Sequence, residues 1–335
     1  MLLHSLFHAR FPLHLSVVMQ TIATAYSKFI LSGEHFVVEG APSVVIPASC
    51  FSTQVSLYDQ ETPEITAICN FNCGQPGLDE LRDTHEALVK DLIIKSAQIL
   101  GIDLRGIGLR CMVKSSIPPG QGAGSSSSLS QAIMEAMMRH FLADDLHPNY
   151  LRWFSTQLEN KWHGTVSGID NAAIAYKRIM FYERDKTTKF IPLGSPMFFV
   201  VGTTGPRSEI DPYAVMRGLK QDQPLQYIAH HKAMSENAVQ LAEALQHGDT
   251  LRVGALMNES EDIYETCGIV TKAMQTACQE ALNQGACGAR MTGAGGGGFV
   301  IACTPISRIE DVQMAWFDMG LKAVSILNFG LDRIR

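Results

Sequence analysis

The stretch IPPGQGAGSSSSLSQ, residues 117–131, holds three glycines and four consecutive serines directly after a double proline. It follows IGLRCMVKS, which alternates like a β-strand, and it runs into LSQAIMEAMMRHFLAD, which is typical of a buried helix. A glycine-rich turn that enters a helix aims backbone N–H groups at phosphate, because glycine allows close approach and the first helical amides are unpaired. The stretch therefore predicts a phosphate-binding loop, with a flexible linker or N-terminal cap as the alternative.

Two well-known nucleotide motifs do not explain the glycines. The pattern G-x-x-x-x-G-K-[ST] is absent, because no lysine follows the glycines of residues 117–131. The pattern G-x-G-x-x-G is matched by Gly293, Gly295 and Gly298, but a strand-like segment follows them where the motif requires a helix. The spacing of the glycines alone therefore does not decide whether the protein binds a nucleotide.

Length, composition and charge narrow the class of protein. A chain of 335 residues exceeds the size at which one core usually keeps growing, which predicts two domains. Apolar residues make up 46% and charged residues 18%, a globular profile. The net charge of −6 without a Lys/Arg cluster argues against nucleic acid or an anionic membrane as partners, and no apolar run is long enough to span a bilayer.

The cysteines and the N-terminus bear on cellular location. The eight cysteines show neither zinc-ligand nor disulfide spacing, which predicts free thiols in a reducing, cytoplasmic environment. Residues 1–20 are apolar, but histidines, an arginine and a proline interrupt them, and they lack the build of a secretory signal. We interpret them as an N-terminal extension.

The order of predicted elements indicates an α+β protein. Strand-like segments such as SVVIPAS and SPMFFVVGT mix with helical patterns such as GLDELRDTHEALVKDLIIKSAQILGI and LQYIAHHKAMSENAVQLAEALQ, without regular βαβ alternation. No internal repeat is evident. We predict one domain over residues 21–193 and a second over residues 194–335.

Four segments, taken together, resemble the GHMP kinase superfamily. SKFILSGEHFVVEG is similar to the opening P-G-K-x-x-x-G-E-H-x-V-V-x-G, PPGQGAGSSSSLS to the phosphate loop P-P-G-x-G-L-G-S-S-A, and GARMTGAGGGGFVIA to G-A-K-x-T-G-A-G-G-G-G-C. ENKWHGTVSGIDNA is similar to E-x-x-x-H-G-x-P-S-G-x-D-N, a mark of the branch that phosphorylates mevalonate. The resemblance implies the two-domain GHMP kinase fold, with an N-terminal domain like domain 2 of ribosomal protein S5 and a ferredoxin-like C-terminal domain.

The resemblance also implies a kinase that uses ATP and Mg²⁺. Asp170 matches the catalytic aspartate, as base or orienting group for the substrate hydroxyl, and Lys28 matches the lysine that stabilises this carboxylate and the transferred phosphoryl group. Glu159 and Ser126 match the Mg²⁺ ligands. From the residues alone, Asp170 could equally cap a helix, and Lys28 and Glu159 could be solvated surface residues.

Nucleotide and acceptor contacts follow from the same match. The residues expected to bind ATP lie in the two glycine-rich segments: Pro119, Gly120, Gly122, Ala123, Gly124, Ser125, Ser126, Gly293, Gly295 and Gly296. The residues expected at the acceptor are Glu34, His35 and Ser208. The alternative for the glycines is a turn that packing requires.

The implied reaction is phosphorylation of the primary hydroxyl of mevalonate, a small-molecule alcohol. One departure from the pattern keeps other acceptors open: Glu209 stands where the family has threonine, and its carboxylate would repel an anionic substrate. A related acid, phosphomevalonate, a sugar or an amino-acid alcohol therefore remains an alternative, as does a non-catalytic sensor of nucleotide or metabolite. Homodimerisation, frequent in the family, also stays open.

Overall fold

The computed structural model describes residues 20–71, 82–142, 146–163, 166–207 and 210–330. Apart from Gln20, the predicted N-terminal extension lies outside these residues. Strands and helices alternate irregularly along the described chain and form two separate sheets, so the α+β prediction is confirmed. Within the described ranges, every helix is too short or too polar to cross a bilayer.

The first sheet belongs to the N-terminal half. Its strands are β1 (Gln20–Ser32), β2 (Ser43–Asp59), β3 (Ile65–Phe71), β4 (Leu109–Ser115), β5 (Met180–Tyr182) and β6 (Lys189–Phe190). They lie in the order β3-β4-β2-β5-β6, with β1 paired antiparallel to β2, and a short 3₁₀ helix, Phe36–Glu39, connects β1 to β2. β3 and β4 are parallel, and the other pairs are antiparallel.

Four helices cover this sheet: α1 (Arg82–Leu100), α2 (Ser125–Leu142), α3 (Pro148–His163) and α4 (Ile169–Tyr176). α2 is buried along most of its length, as its apolar circumference predicts, and Ile133 and Met137 pack with Leu57 and Leu92 in one cluster. α1 ends directly before Gly101, whose positive φ of 71° is typical of a residue that ends a helix.

The C-terminal half holds the second sheet. Its elements are β7 (Met197–Thr203), α5 (Pro212–Asp222), α6 (Pro224–His247), α7 (Thr250–Cys267), α8 (Lys272–Asn283), β8 (Gly288–Met291), β9 (Phe299–Cys303), α9 (Ile309–Asp318) and β10 (Lys322–Phe329). The strands are antiparallel in the order β10-β7-β9-β8. The boundary predicted at residue 193 falls in the link between β6 and β7.

The two halves share a core. The ring of Phe299 on β9 lies 5.1 Å from that of Phe29 on β1 and 5.6 Å from that of Phe51 on β2, centroid to centroid. The Phe299 N–H donates to the Gln121 carbonyl at 3.1 Å. The two glycine-rich segments are thereby brought together where the halves meet.

A buried acid lies in this C-terminal half. Glu261 on α7 is 5% exposed, and its Oε2 accepts a hydrogen bond from the Met291 N–H at 2.8 Å. Burial penalises the charged form and raises the pKa of the Glu261 carboxyl to about 7. Because the folded state keeps this proton between about pH 4.5 and pH 7 while the unfolded chain releases it, the fold loses stability as pH rises through that window.

We expect Glu261→Gln to abolish this loss. The free energy of unfolding of the variant, relative to wild type, should rise between pH 5 and pH 8 by an amount on the order of 3 kcal/mol. Urea unfolding followed by circular dichroism at several pH values measures it. Asp262→Asn, which changes an exposed carboxylate of the same helix, is the matched control. Parallel pH profiles for wild type and Glu261→Gln would contradict the prediction.

Candidate active site

A cavity of about 870 Å³ lies between the two halves. Lys28, Gly124 and Asp170 line it from the N-terminal half, and Tyr213 and Gly293 line it from the C-terminal half. The N-terminal residues come from β1, from the loop before α2 and from the first turn of α4. Sequence segments far apart along the chain thus converge on one space.

The glycines of the first loop are required by its path. Gly120, Gly122 and Gly124 have φ angles of 71°, 92° and 77°, the left-handed region that favours glycine. A Cβ on Gly122 would lie 2.8 Å from the Thr292 carbonyl oxygen. α2 begins at Ser125, directly after the loop, so its first amides point toward the space in front of it. The arrangement of strand, glycine turn and helix is the predicted one.

The second glycine segment packs backbone to backbone against the first. A Cβ on Gly293 would lie 2.6 Å from the Gly122 Cα. Gly293 and Ala294 line the cavity.

Three predicted nucleotide ligands lie off the cavity wall. The Gly296 N–H donates to the Ile269 carbonyl at 2.8 Å, and a Cβ on Gly295 would lie 2.7 Å from that same oxygen. Ala123 is buried, and its carbonyl accepts the Lys28 N–H at 3.3 Å. These contacts give all three residues a structural role in shaping the loops, and their contact with ATP stays a prediction.

Lys28 and Asp170 form an ion pair in the cavity. Lys28 Nζ lies 3.2 Å from Asp170 Oδ1 and donates a hydrogen bond to the Gly122 carbonyl at 3.0 Å. The lysine side chain is 3% exposed and that of the aspartate 30%. A Cβ on Gly124 would lie 3.2 Å from Lys28 Cε and 3.7 Å from Asp170 Oδ2, so only glycine leaves the pair its room. A fixed cation and a reachable carboxylate therefore stand beside the phosphate-loop amides.

The turn before α4 fixes Asp170. Gly168 caps the helix in the left-handed conformation, with φ 76°. The Tyr182 hydroxyl donates to the Ser167 carbonyl at 2.7 Å, and a Cβ on Gly168 would lie 3.1 Å from that hydroxyl. Since Asp170 is in the first turn of α4, these contacts set the direction of its carboxylate.

Glu159 on α3 is a buried carboxylate suited to a cation. It is 4% exposed, and its oxygens accept hydrogen bonds from Ser126 Oγ at 2.9 Å and from Ser127 Oγ at 2.8 Å. Burial raises the pKa of the Glu159 carboxyl, and the nearby charge of Asp170 raises it further. Among the described residues no lysine or arginine pairs with Glu159, and no group of three or more His, Cys, Asp or Glu side chains could hold a metal.

This donor set fits Mg²⁺, which takes one or two protein oxygens and completes its shell with phosphates and water. Glu159 and Ser126 would hold the ion, as the resemblance implies. Ser127 was missed in the sequence, where it stood as a departure from an alanine of the family pattern. Its bonds to both carboxylate oxygens show a role in orienting Glu159.

His35 also lines the cavity. Its Nε2 is 2.7 Å from the Ala294 carbonyl oxygen, which only accepts, so Nε2 carries the proton. Burial lowers the pKa of the imidazole, which leaves the ring neutral with Nδ1 as an acceptor. The ring lies edge-on to Tyr213 and Tyr264, at centroid distances of 5.6 Å and 6.2 Å.

Glu34 has different contacts from those expected of an acceptor ligand. Its Oε2 lies 2.8 Å from Nη2 of the fully buried Arg290, and its Oε1 accepts the Gly293 N–H at 3.3 Å. Both carboxylate oxygens are thus engaged inside the protein, although the residue borders the cavity. Glu34 therefore has internal partners for both carboxylate oxygens, and its contact with the acceptor stays a prediction. Ser208 and Glu209 lie outside the described residues.

Three basic side chains that the sequence prediction missed also line the cavity. They are those of Arg207, Arg217 and Lys220. Lys220 pairs with Glu39 at 2.8 Å, whereas no carboxylate among the described residues pairs with Arg217. The spacing of three between Arg217 and Lys220 on a helix predicts a shared face. Nothing in that spacing indicates that the face borders a cavity.

Comparisons with known proteins agree with this geometry. Residues 88–178 match the family model of the GHMP kinases N terminal domain, and residues 241–318 match that of the GHMP kinases C terminal. Mevalonate kinase of Pyrococcus furiosus is 27% identical over 311 residues, covering 87% of this chain and 91% of the relative. Mevalonate kinase of Thermococcus gammatolerans is 28% identical over 311 residues, with the same coverage of 87% and 91%.

Solved structures show the same fold. That of L. major mevalonate kinase in complex with R-mevalonate superimposes with a TM-score of 0.79 and 26% identity, over 93% of this chain and 96% of that chain. Streptococcus pneumoniae phosphomevalonate kinase superimposes with a TM-score of 0.73 at 16% identity, over 93% and 100% of the two chains, a likeness of fold alone. The chain belongs to the GHMP kinases and has their two-domain α+β fold, as the sequence predicts. It is a phosphotransferase with an alcohol group as acceptor.

Proposed function

We propose that this protein transfers the γ-phosphoryl group of ATP to the primary hydroxyl of mevalonate, giving 5-phosphomevalonate and ADP. The observation that carries the proposal is the Lys28–Asp170 pair, 3.2 Å apart, beside the glycine loop in a cavity that Arg207, Arg217 and Lys220 also line. The mevalonate kinases reported above, similar over most of their length, support the choice of acceptor.

Each part of the cavity has a task in this reaction. The amides at the start of α2 bind the phosphates, and Lys28 stabilises charge that develops on the transferred group. Asp170 orients the acceptor hydroxyl and takes its proton at a carboxylate oxygen. Glu159 and Ser126 hold Mg²⁺, which when bound neutralises charge on the phosphate oxygens. The hydroxyls of Ser126 and Ser127 keep the Glu159 carboxylate aimed at that position.

The basic residues of the cavity support an anionic acceptor. Mevalonate carries a carboxylate, and a carboxylate is bound best by guanidinium and ammonium groups. Arg207, Arg217 and Lys220 supply three cations there, of which Lys220 already has Glu39 as a partner.

Location and assembly remain proposals. The described cysteines are all free thiols, which supports the reducing cytosol predicted from the sequence. The homodimer stays a prediction.

A panel of acceptors tests the proposed function. We expect coupled ADP release with mevalonate and, by ³¹P NMR, a phosphomonoester as its product. The matched control is 3-methylpentane-1,3,5-triol, which keeps the acceptor hydroxyl and replaces the carboxylate by CH₂OH; its kcat/KM should be about 10- to 100-fold lower. Turnover of phosphomevalonate, galactose or homoserine without turnover of mevalonate would replace the proposal by the corresponding alternative. Absence of turnover with every acceptor would favour a sensor.

A further inference from the structure

We propose that Arg290 is a positioning residue that holds the acceptor half of the active site together. It is the last residue but one of β8 and is 0% exposed. Its Nη2 lies 2.8 Å from Glu34 Oε2, and its Nη1 donates to the Ile30 carbonyl at 3.3 Å. One guanidinium thus connects β8 both to β1 and to the turn that follows β1.

The contact with β1 lies close to the catalytic lysine. Ile30 is two residues beyond Lys28 on the same strand. Beside Arg290, Thr292 bonds Ile30 in both directions: its Oγ1 accepts the Ile30 N–H at 3.0 Å and donates to the Ile30 carbonyl at 3.0 Å. These contacts at the end of β8 therefore fix the position of β1 close to Lys28.

The contact with Glu34 joins the two loops that border the acceptor. Glu34 Oε1 accepts the Gly293 N–H at 3.3 Å, and the next residue, His35, bonds the Ala294 carbonyl at 2.7 Å. Glu34 and His35 of one loop thus form hydrogen bonds with Gly293 and Ala294 of the other. His35 itself has a φ of 54°, a conformation that such surrounding contacts must hold in place.

Tyr264 and Glu261 also surround the guanidinium. The Tyr264 ring lies over its Cζ at 5.3 Å, and the Tyr264 hydroxyl donates to the Glu34 carbonyl at 2.8 Å. Glu261, a second buried carboxylate, lies close enough to interact electrostatically with Arg290. A buried cation requires partners in good geometry, and a planar fork accepts few geometries. Arg290 therefore fixes the position of the loop of Glu34 and His35 relative to the loop of Gly293 and Ala294. It is not one of the residues that line the cavity.

The proposal predicts a specific kinetic pattern for Arg290→Met, which keeps an unbranched stem but removes the guanidinium and its charge. Glu34 loses its partner, and the His35 loop shifts against the Gly293 loop. We expect kcat to fall about 100-fold and the KM for the acceptor to rise about 10-fold, since a displacement of about 1 Å costs this much. The dissociation constant of MgATP should change less than about 3-fold, because the start of α2 makes no contact with Arg290. Arg290→Lys, which keeps the cation, should recover to within about 10-fold of wild type.

A double variant shows whether Arg290 acts through Glu34. If it does, Arg290→Met combined with Glu34→Gln is no worse than Arg290→Met alone, because both single changes break the same link. Arg139→Met is the matched control: it removes the cation of another ion pair, 2.6 Å from Glu135 near the end of α2, and should leave both KM values unchanged. Thermal unfolding of each variant sets the assay temperature. Should Arg290→Met fail to fold, Glu34→Gln and Arg290→Lys carry the same test.

A second measurement is independent of turnover. In ¹⁵N-histidine NMR spectra, the His35 ring signals, assigned by their loss in His35→Asn, should move in Arg290→Met and stay in Arg139→Met. Wild-type His35 signals with wild-type acceptor KM in Arg290→Met would overturn the proposal, as would strictly additive effects in the double variant. The kinetic arm rests on the proposed function and uses whichever acceptor the panel identifies. Failure of mevalonate as substrate would thus leave the NMR test of Arg290 intact.

Discussion

Asp170→Ala is expected to lower kcat with mevalonate and ATP by about 10⁴-fold while leaving nucleotide binding unchanged. The carboxylate stands 3.2 Å from the Lys28 ammonium and is the acid within reach of both the phosphate loop and the acceptor end of the cavity. Without it, the hydroxyl loses the base that we assign to its proton as the new bond forms. Steady-state kinetics by coupled ADP release measure the loss.

Two controls separate the roles that Asp170 could have. Asp170→Asn keeps the shape and a hydrogen-bond acceptor but not the basicity, so comparable loss in both variants identifies a base, and substantial activity in Asp170→Asn identifies an orienting group. Thermal stabilisation by MgATP in Asp170→Ala, equal to that of wild type, shows that the nucleotide site is intact. Turnover that persists in Asp170→Ala would contradict the proposed role and with it the assignment of this pair as catalytic.

Lys28→Met has the second largest expected effect, a loss of about 10²- to 10³-fold in kcat. The ammonium is desolvated, with a side chain 3% exposed, and it is fixed by Asp170 and by the Gly122 carbonyl. A preorganised cation in such a place stabilises the charge of the transferring phosphoryl group without reorganising during the reaction. Single-turnover kinetics, which isolate the chemical step, are the suitable measurement.

Lys28→Arg is an informative companion variant. Arginine keeps the charge, but a Cβ on Gly124 would already lie 3.2 Å from Lys28 Cε, so the space around the stem is too narrow for a larger guanidinium. We therefore expect a loss close to that of Lys28→Met. A fully active Lys28→Arg enzyme would show that charge alone suffices and that the tight fit around the lysine has no catalytic value. A fully active Lys28→Met enzyme would remove the lysine from the mechanism.

Much of the fold and of the site could be predicted from local sequence. The strand, glycine turn and buried helix over residues 109–142 are each determined by neighbours in the chain: alternation, left-handed glycines and an apolar circumference. Lys28, Glu159 and Asp170 were predicted as site residues because the motifs that carry them are short and contiguous. Their convergence on one cavity agrees with those motifs.

The tertiary structure showed contacts of several residues whose partners are distant in sequence. Glu34 was expected at the acceptor, but its partner Arg290 is 256 positions away, and no local pattern announces an internal ion pair over that separation. Gly295 and Gly296 belong to the same glycine-rich segment as Gly293, but of these three residues only Gly293 lines the cavity. Arg217 carries no motif at all and joins the site only through the placement of α5.

The sequence of this protein therefore established its class and predicted its phosphate loop and the charged groups for phosphoryl transfer, because backbone conformation and motif chemistry depend on adjacent residues. Only the folded chain showed which charges face the cavity and which neutralise each other inside. That distinction depends on burial and on contacts between segments hundreds of residues apart. Both arise when the two halves pack around Phe29, Phe51 and Phe299.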